Sequence, residues 1–359
     1  MNEKYDVCIV GAGIIGMSTA YFLSKKSLKI CIVDECDDVA MVTSKVNGGQ
    51  INPHRIDHLE VYAKGKATLW DIVKIGLFYP IWGLNHMHYR RKLRLNKHLS
   101  WKMTRDIQSA ATQTFLQMKK MRWDGLKIGK RAILDDMVDP LKPCKKLAID
   151  EYPIATGSSH ALAQFMKKKM NRSVDFFFNH RFKSFVHHRG KVSEIITDRG
   201  NIKADTFIVT MGLGLSRWFP LLPIYGLIRE YPFSRSTLFN TKHIIIASMP
   251  KHHAYMSVVG DVLRVGGGDI IAPIKPTAAA FHLPRWKNCG PQREWIGCRP
   301  VSPDGMPIIG KLPGFKNVYV NGGHGFWGWT LSLGTAKILA DHVVHRRDIP
   351  FTFSTERFI

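Results

Sequence analysis

The chain has 359 residues, of which 45% are apolar and 22% are charged, values that exclude a disordered, collagen-like or disulfide-scaffold protein. Its 52 Lys and Arg residues against 28 Asp and Glu residues give a formal net charge of +24, which indicates attraction to nucleic acid, to an anionic membrane surface or to an acidic partner. At about 150 residues per domain, the length predicts two domains.

The cysteines and the apolar runs indicate an intracellular protein. Six cysteines are scattered without a CxxC pair, at Cys8, Cys31, Cys36, Cys144, Cys289 and Cys298. Cys8 and Cys31 lie in apolar runs, which favours buried reduced thiols in a cytoplasmic or mitochondrial-matrix compartment over secretion. No signal peptide is predicted before Tyr5, and no uninterrupted apolar run reaches the length of a transmembrane helix. No metal site is predicted.

The N-terminal segment has the pattern of a βαβ unit. Tyr5 to Val10 is predicted to be a buried strand, Gly11 to Gly16 a turn, Met17 to Lys26 a helix and Leu28 to Val33 a second strand. Such short connections are typical of parallel strands joined by a crossover helix.

Helical spacing follows from Leu59 to Trp123, broken by Pro80 and Gly83. Further strands are predicted at Phe176 to Phe178, Phe182 to Val186, Val192 to Thr197, Thr206 to Thr210, Ile244 to Ala247, Val262 to Val265 and Val318 to Asn321, with a last helix from Thr330 to Val344. Between Tyr89 and Lys146, basic residues outnumber acidic ones by 16 to 5.

The first turn has the spacing Gly11-x-Gly13-x-x-Gly16. Gly11 permits the tight turn, Gly13 lets the backbone approach a pyrophosphate, and Gly16 allows close packing of helix on strand. Asp34 follows 23 residues after Gly11 and would accept hydrogen bonds from the adenosine ribose. Strand, turn, helix and acidic residue in this register predict binding of a dinucleotide, either NAD or FAD.

Two further glycine-containing stretches favour a flavin. The polar loop from Thr43 to Pro53 (TSKVNGGQINP) could follow a ribityl chain and the edge of a flavin ring. Gly297 to Gly310 (GCRPVSPDGMPIIG) is followed by Asn321 to Thr330 (NGGHGFWGWT), which opens a helix. Backbone N–H groups at a helix N-terminus stabilise negative charge that develops on a reduced flavin.

In these blocks the chain resembles the FAD-dependent D-amino-acid oxidase and dehydrogenase family, and most of all its bacterial-type D-amino-acid dehydrogenases. The resemblance rests on VGAGIIG, TSKVNGGQINP, LRVGGG at Leu263 to Gly268, GCRPVSPDGMPIIG and NGGHGFWGWT, whose order and spacing cover most of the chain. It implies an FAD-dependent oxidoreductase that holds its FAD non-covalently.

The resemblance also implies the residues that hold FAD. They are Gly11, Gly13, Ile14, Ile15, Gly16, Asp34, Ser44, Gly49, Gln50, Val186, Thr210, Gly212, Gly325, Gly328, Trp329 and Thr330. Val186 would contact adenine through its backbone, and Thr210 with Gly212 would close on the pyrophosphate. Ser44 and Gln50 would lie along the pyrophosphate and the isoalloxazine ring.

For catalysis, the resemblance implies that Arg299 binds the substrate carboxylate, a role that suits its planar, permanently charged guanidinium; the alternative is a structural ion pair. Tyr231 is the best match to a tyrosine of the substrate pocket, although Glu230 stands where a glycine is expected. His324 is either a catalytic residue or one that positions its loop. The implied reaction oxidises a D-amino acid, or a similar small amine acid, to the imino acid by hydride transfer to flavin N5, without a protein base.

The expected fold is α/β, with a Rossmann-like FAD-binding domain of the glutathione-reductase type interleaved with a substrate domain of mixed sheet and helices. The FAD-binding domain is predicted to comprise residues 1–58, 150–215 and 295–359, because glycine-turn units stand at both ends of the chain. The substrate domain would comprise residues 59–149 and 216–294.

Two alternatives concern partners. The run from Ile75 to Leu84 (IGLFYPIWGL) and its basic flank could rest on an anionic membrane and deliver electrons to a quinone rather than to oxygen, or could be a core helix beside a solvated basic face. A basic flavin-fold protein that docks on RNA or a larger assembly, or an FAD oxidoreductase that modifies tRNA, would use the basic surface with Tyr89, Trp101 and Trp123.

Overall fold

The computed structural model describes residues 3–52, 69–133, 148–149, 154–232, 244–249, 254–281 and 290–358. The α-helices of these residues are α1 (Ile14–Leu23), α2 (Leu69–Phe78), α3 (Pro80–Leu95), α4 (Lys97–Lys120), α5 (Ser159–Met170) and α6 (Gly328–His345). The β-strands are β1 (Lys4–Val10), β2 (Ile30–Val33), β3 (Gln50–Ile51), β4 (Lys127–Ile133), β5 (Ala148–Ile149), β6 (Ile154–Thr156), β7 (Val174–Phe177), β8 (Phe182–His188), β9 (Lys191–Thr197), β10 (Gly200–Val209), β11 (Leu222–Pro232), β12 (Ile244–Met249), β13 (Ala254–Val259), β14 (Val262–Ile271), β15 (Arg293–Val301), β16 (Ile308–Lys311) and β17 (Val318–Gly322).

The first sheet joins the two ends of the chain. Its strands lie in the order β16-β17-β10-β1-β2-β7, and all of these except β16 run parallel. The β8–β9 hairpin extends the sheet through pairing of β9 with β10. Helices α1, α5 and α6 pack together on one face, and buried aromatic and aliphatic side chains cover the other. Burial of both faces explains why the second half of β1, from Val7 to Val10, and all of β2 are apolar.

The first predicted helix of this half differs in its bounds. Helix α1 begins at Ile14 rather than at Met17, because the Ser44 hydroxyl accepts a hydrogen bond from the Ile14 N–H at 3.0 Å and satisfies the first turn from outside. Cys8 and Cys31 are paired across β1 and β2, and both are free, fully buried thiols. Cys144 and Cys289 lie outside the described residues.

The second sheet has the strand order β15-β11-β14-β13-β12-β4-β6-β3, with β5 beside β4. Its pairs are antiparallel except for β12 with β4. One face carries a buried apolar cluster that includes Leu227, Tyr231, Met256 and Val265. The opposite face carries Tyr255, Ser257 and Arg264, and it packs against the loop that enters β3. Together the two sheets confirm the α/β fold class.

The predicted helical stretch is divided into α2, α3 and α4. Pro80 begins α3, where its missing N–H is not needed, whereas Gly83 lies inside that helix and does not break it. The N-terminal part of the prediction, residues 59–68, lies outside the described residues. Helix α4 packs closely on α6, where a Cβ at Gly334 would come within 2.0 Å of the Ala110 carbonyl oxygen. No helix of the described segments is both long and apolar enough to cross a bilayer.

Candidate active site

A single cavity of about 1830 Å³ runs between the two sheets. It begins at the carboxyl ends of β1 and β2, follows the loop that enters β3, and ends beneath α2 and α3. Sites for one small ligand measure about 300–1,000 Å³, so this cavity has room for a dinucleotide and a substrate.

The glycine turn after β1 has the close contacts that its sequence predicts. Gly11 has a φ of +110°, and a Cβ there would lie 2.7 Å from the carbonyl oxygen of Thr210. A Cβ at Gly16 would lie 1.9 Å from the carbonyl oxygen of Gly11. Gly16 therefore does not line the cavity but lets α1 pack on the turn, while Gly11 and Gly13 line it directly.

Asp34 ends β2 beside this turn, and both of its carboxylate oxygens accept backbone hydrogen bonds. Ala12 N–H donates to Oδ2 at 2.6 Å, and Cys36 N–H donates to Oδ1 at 2.8 Å. A carboxylate has about four acceptor positions, so two remain for ribose hydroxyls. The backbone bonds hold the side chain against the cavity, which it lines.

Val186 is the predicted cofactor residue that the structure places elsewhere. It lies in the β8–β9 hairpin opposite Glu194, outside the lining of the cavity. Phe182, at the start of the same strand, lines the cavity, because only the first residues of β8 lie near the end of β2. The hydrogen bond from the His180 N–H to the Asp34 carbonyl oxygen, at 2.8 Å, fixes this junction. Phe182 is thus the residue of this strand that lines the cavity, and the adenine contact expected of Val186 stays a prediction.

The loop before β3 is compressed between the sheets, which explains its two glycines. A Cβ at Gly48 would lie 2.4 Å from the Tyr255 ring, and Gly49 has a φ of +72°. The Asn47 side chain accepts a hydrogen bond from the Gly49 N–H at 2.8 Å, and Ser257 donates to the Gly48 carbonyl oxygen. This loop brings Ser44, Gly49 and Gln50 to the cavity.

A buried ion pair supports the same loop and was not anticipated from the sequence. Arg264 Nε lies 2.8 Å from Glu230 Oε1, with side-chain exposures of 8% and 6%. Arg264 Nη1 also donates to the Asn47 carbonyl oxygen at 2.9 Å. Glu230, which appeared to be only a departure from the family pattern, is thus the counter-ion of an arginine that holds the loop.

The segment after β17 contributes the other wall of the cavity. Gly323 and Gly325 have φ values of +66° and +52°, and α6 begins at Gly328 after a short 3₁₀ turn (Gly325–Trp327). Gly325, Gly328, Trp329 and Thr330 all line the cavity, as do Thr210 and Gly212 on the opposite side. The N-terminal N–H groups of α6 are therefore placed at the cavity wall.

His324 precedes this turn and is 4% exposed. Its Nε2 lies 3.0 Å from the Thr335 hydroxyl inside α6, and burial lowers the pKa of the imidazole to about 3. The ring is therefore neutral near pH 7 and hydrogen-bonded to helix α6. This geometry favours the loop-positioning role over the catalytic one.

Arg299 extends from β15 into the far end of the cavity, where three neighbours fix it. Its guanidinium lies 4.8 Å above the Phe326 ring and across Gly226, where a Cβ would come within 2.3 Å of Nη2. Asp269 accepts from Arg299 Nη1 at 2.7 Å. Arg299 and Asp269 both line the cavity.

Tyr231 does not reach this end of the cavity. It is 2% exposed and packs in the apolar cluster on the other face of the second sheet. Neighbouring strand residues face opposite sides, and Glu230 already faces the loop, so Tyr231 faces away. Tyr255 on β13 lines the cavity beside Arg299 instead. The structure thus does not bring Tyr231 to the cavity, its role in the substrate pocket stays a prediction, and Tyr255 is the tyrosine that lines the cavity there.

Helices α2 and α3 close the far end. Trp82 Nε1 donates to the Val301 carbonyl oxygen at 2.9 Å, and His86 Nδ1 lies 2.7 Å from the Pro303 carbonyl oxygen. Both side chains line the cavity. Their hydrogen bonds join α3 to the end of β15, the strand that carries Arg299. Among the described residues, no cluster of His, Cys, Asp or Glu side chains could hold a metal ion.

Comparison with known proteins identifies the family. A sequence model of the FAD dependent oxidoreductases matches residues 6–342. The chain belongs to the FAD dependent oxidoreductase family. It is 24% identical over 406 residues to the D-amino acid dehydrogenase of Rhizorhabdus wittichii, covering 95% of this chain and 96% of that protein. It is 23% identical over 404 residues to the D-amino acid dehydrogenase of Neisseria meningitidis, with 94% and 95% covered.

Solved structures agree with this fold. L-proline dehydrogenase from P. horikoshii superposes with a TM-score of 0.69 at 14% identity, covering 100% of this chain and 98% of that one. Glycine oxidase from Bacillus cereus superposes with a TM-score of 0.61 at 18% identity, covering 96% of each chain.

The cavity of this flavoprotein fits its cofactor, FAD. The side-chain amide nitrogen of Gln50, both amide atoms of Asn321 and Nε1 of Trp329 are buried without a hydrogen-bond partner among the described residues, and all three residues line the cavity. Such atoms cost about 1–3 kcal/mol each when unpaired, so a polar ligand is expected to satisfy them. Burial raises the pKa of the Cys298 thiol to about 11, which agrees with non-covalent attachment because thiolate is the reactive form.

Proposed function

We propose that the protein oxidises a D-amino acid, or a similar small amine acid, to the imino acid. Loss of a hydride from Cα and of a proton from the amine leaves an imine, which water hydrolyses to the 2-oxo acid and ammonia. The observation that carries the proposal is Arg299, a cation held at the far end of a cavity whose other parts fit FAD. The names of the relatives support an amino-acid substrate.

The residues of the chain bind and orient the substrate in this proposal. Arg299 pairs bidentately with the carboxylate, and Gly226 leaves the space in which the guanidinium lies. FAD, when bound, supplies the acceptor for the hydride. The N–H groups at the start of α6, with Trp329 and Thr330, stabilise negative charge on the flavin side of the cavity. Tyr255 forms the wall beside Arg299.

We also propose the interleaved organisation, with residues 1–58, 150–215 and 295–359 in the FAD-binding domain and residues 59–149 and 216–294 in the substrate domain. The strand orders support it, since β1, β2, β7, β10 and β17 share one sheet while β4 and β11 to β14 share the other. Strand β15 pairs with β11 and places Arg299 at the junction. The free, buried thiols of Cys8 and Cys31 support a reducing compartment.

For the electron acceptor, we propose a quinone reached at an anionic membrane rather than oxygen. Helices α2 and α3 expose large apolar side chains at the far end of the cavity, where Ile72, Leu84 and Met87 are 58%, 64% and 61% exposed while also lining it. Arg91 and Lys92 follow on the exposed surface of α3. An apolar rim with a basic flank is typical of proteins that lie on anionic lipid.

The RNA-docking alternative receives less support. Of its three proposed aromatic residues, only Trp101 is exposed, at 57%. Tyr89 is buried and donates its hydroxyl to the Arg357 carbonyl oxygen, and Trp123 packs edge-on against Trp329 at 6.2 Å. Two of the three rings are therefore unavailable to stack on bases.

Anaerobic titration tests the proposed function. The protein reconstituted with FAD is mixed with single D-amino acids, and bleaching of its flavin absorbance near 450 nm is recorded. Arg299→Met is expected to weaken substrate binding by about 2–5 kcal/mol while FAD stays bound, because a charged partner is lost at a shielded site. The exposed Arg105→Met, outside the cavity, serves as the control. Unchanged kinetics in Arg299→Met, or no bleaching by any amino acid, would refute the proposal.

A further inference from the structure

Asp269 is the acidic partner of Arg299, and the mechanism above gives it no role. We propose that Asp269 determines specificity: it binds the ammonium group of a zwitterionic substrate while Arg299 binds the carboxylate, and it thereby disfavours carboxylates that lack a cation. The inference rests on the proposed function, because it assumes that Arg299 receives a carboxylate.

The backbone around Asp269 is shaped to bring the two charges together. The register of β11 with β14 shifts between Tyr225 and Leu227, so that Gly268 and Asp269 stand opposite the single residue Gly226. Gly268 takes a φ of +67° in this bulge. Bulges of this kind re-aim side chains and are common next to functional sites. The result is that Asp269 and Arg299 meet over Gly226, at the cavity surface.

The exposures of the two side chains distinguish a ligand-binding pair from a packing contact. Arg299 is 17% exposed, whereas Asp269 is 46% exposed. The buried pairs that support the fold, such as Arg264 with Glu230, are 8% and 6% exposed. The carboxylate of Asp269 is thus accessible to a ligand in the cavity, and the guanidinium is fixed beside it.

Electrostatic complementarity then selects the ligand. A simple carboxylate or a 2-hydroxy acid on Arg299 would place two negative groups on one guanidinium, which is unfavourable in a shielded cavity. An α-amino acid also brings an ammonium group one carbon away from its carboxylate. The dipole of the zwitterion therefore matches the Asp269–Arg299 dipole, and all four charges are paired.

Binding of two unreactive isosteres tests this role. Neither 2-aminoisobutyrate nor 2-hydroxyisobutyrate has a hydrogen on Cα, so each can bind without donating a hydride. Their dissociation constants are measured with the FAD-loaded protein from perturbation of the flavin spectrum. The wild-type protein is expected to prefer the amino compound by about tenfold or more, which corresponds to about one charge-assisted hydrogen bond.

Asp269→Asn is expected to bind 2-hydroxyisobutyrate about tenfold more tightly than the wild type and 2-aminoisobutyrate more weakly, which removes the preference. Asp261→Asn, the same change on an exposed turn of the same hairpin and outside the cavity, should leave both constants unchanged. Equal shifts for both ligands in Asp269→Asn would overturn the proposal. Equal affinities in the wild-type protein would also overturn it, whether or not the variant folds. Absence of turnover with D-amino acids is a separate result, read from bleaching.

Discussion

Removal of the Glu230 carboxylate should test whether the buried pair with Arg264 holds the flavin-facing loop. The Arg264 side chain is 8% exposed, and within the described part of the chain the Asn47 carbonyl oxygen is the acceptor that it keeps when Glu230 is replaced. Breaking a buried ion pair by loss of one partner costs about 3–5 kcal/mol. We expect Glu230→Ala to lower the free energy of unfolding of the apoprotein by that amount, measured in urea by far-ultraviolet circular dichroism.

A double variant separates stability from positioning. Replacing a buried pair by apolar side chains of similar volume is often neutral, so Glu230→Leu with Arg264→Met should recover most of the stability. It still lacks the donor to the Asn47 carbonyl oxygen, a hydrogen bond of about 0.5–1.5 kcal/mol, so the dissociation constant of FAD should rise about threefold to tenfold. FAD affinity is measured by quenching of flavin fluorescence.

The neighbouring pair Arg229–Glu294 provides the control. Arg229 Nε lies 2.6 Å from Glu294 Oε2 on the opposite face of β11, away from the loop. Glu294→Gln should therefore lower stability without changing FAD affinity. If the double variant recovers its stability and binds FAD as tightly as the wild type, the reasoning about the loop is wrong.

Three further results are expected. The pKa of His324 is lowered from 6.5 to about 3 in the folded protein, so the unfolded chain takes up the proton first as the pH falls. The free energy of unfolding should therefore fall by up to about 1.4 kcal/mol per pH unit between pH 6.5 and pH 3. His324→Gln should reduce this slope, as measured by urea titrations at several pH values. Gly16→Ala should prevent FAD binding or folding, since its Cβ would lie 1.9 Å from the Gly11 carbonyl oxygen. In the control Gly76→Ala, the added Cβ meets no atom within 4 Å, so thermal unfolding should show a neutral effect or a stabilisation of about 1 kcal/mol. Cys298 is partly buried at the cavity wall and its pKa is raised to about 11, so iodoacetamide at pH 8 should label it more slowly in the folded than in the unfolded protein, as measured by peptide mass spectrometry; equal labelling rates would contradict that expectation.

The nucleotide end of the site was predictable because its contacts are local. Gly11, Gly13 and Asp34 lie within one βαβ unit, and a short sequence pattern specifies their turn, helix and strand together. The same reasoning predicted the fold class and FAD, and the structure and the family match confirm both. All of the implied cofactor residues except Gly16 and Val186 line the cavity. The roles of those residues stay predictions.

The substrate end was less predictable because strand pairing builds it. Asp269 meets Arg299 only through a bulge between β11 and β14, and the two residues are 30 positions apart. Tyr231 and Tyr255 cannot be told apart by composition, since a one-residue difference in register decides which face of a sheet a side chain occupies. Val186 lies outside the cavity for a related reason, because β8 starts at the cavity and runs away from it.

The position of the cavity between the two sheets should make the abundance of this protein depend on the riboflavin supply of the cell. The residues that line the cavity belong to both sheets and to the loop between them, so a bound FAD would add contacts to each. A ligand that binds only the folded chain stabilises it, and the stabilisation grows with the logarithm of the ratio of free ligand concentration to dissociation constant. The stabilisation is about 2.7 kcal/mol when the ligand concentration is a hundred times the dissociation constant. A cell short of riboflavin would therefore leave the newly made chain nearer to unfolding and exposed to proteases. The cellular level of the enzyme would then follow flavin availability even with transcription constant.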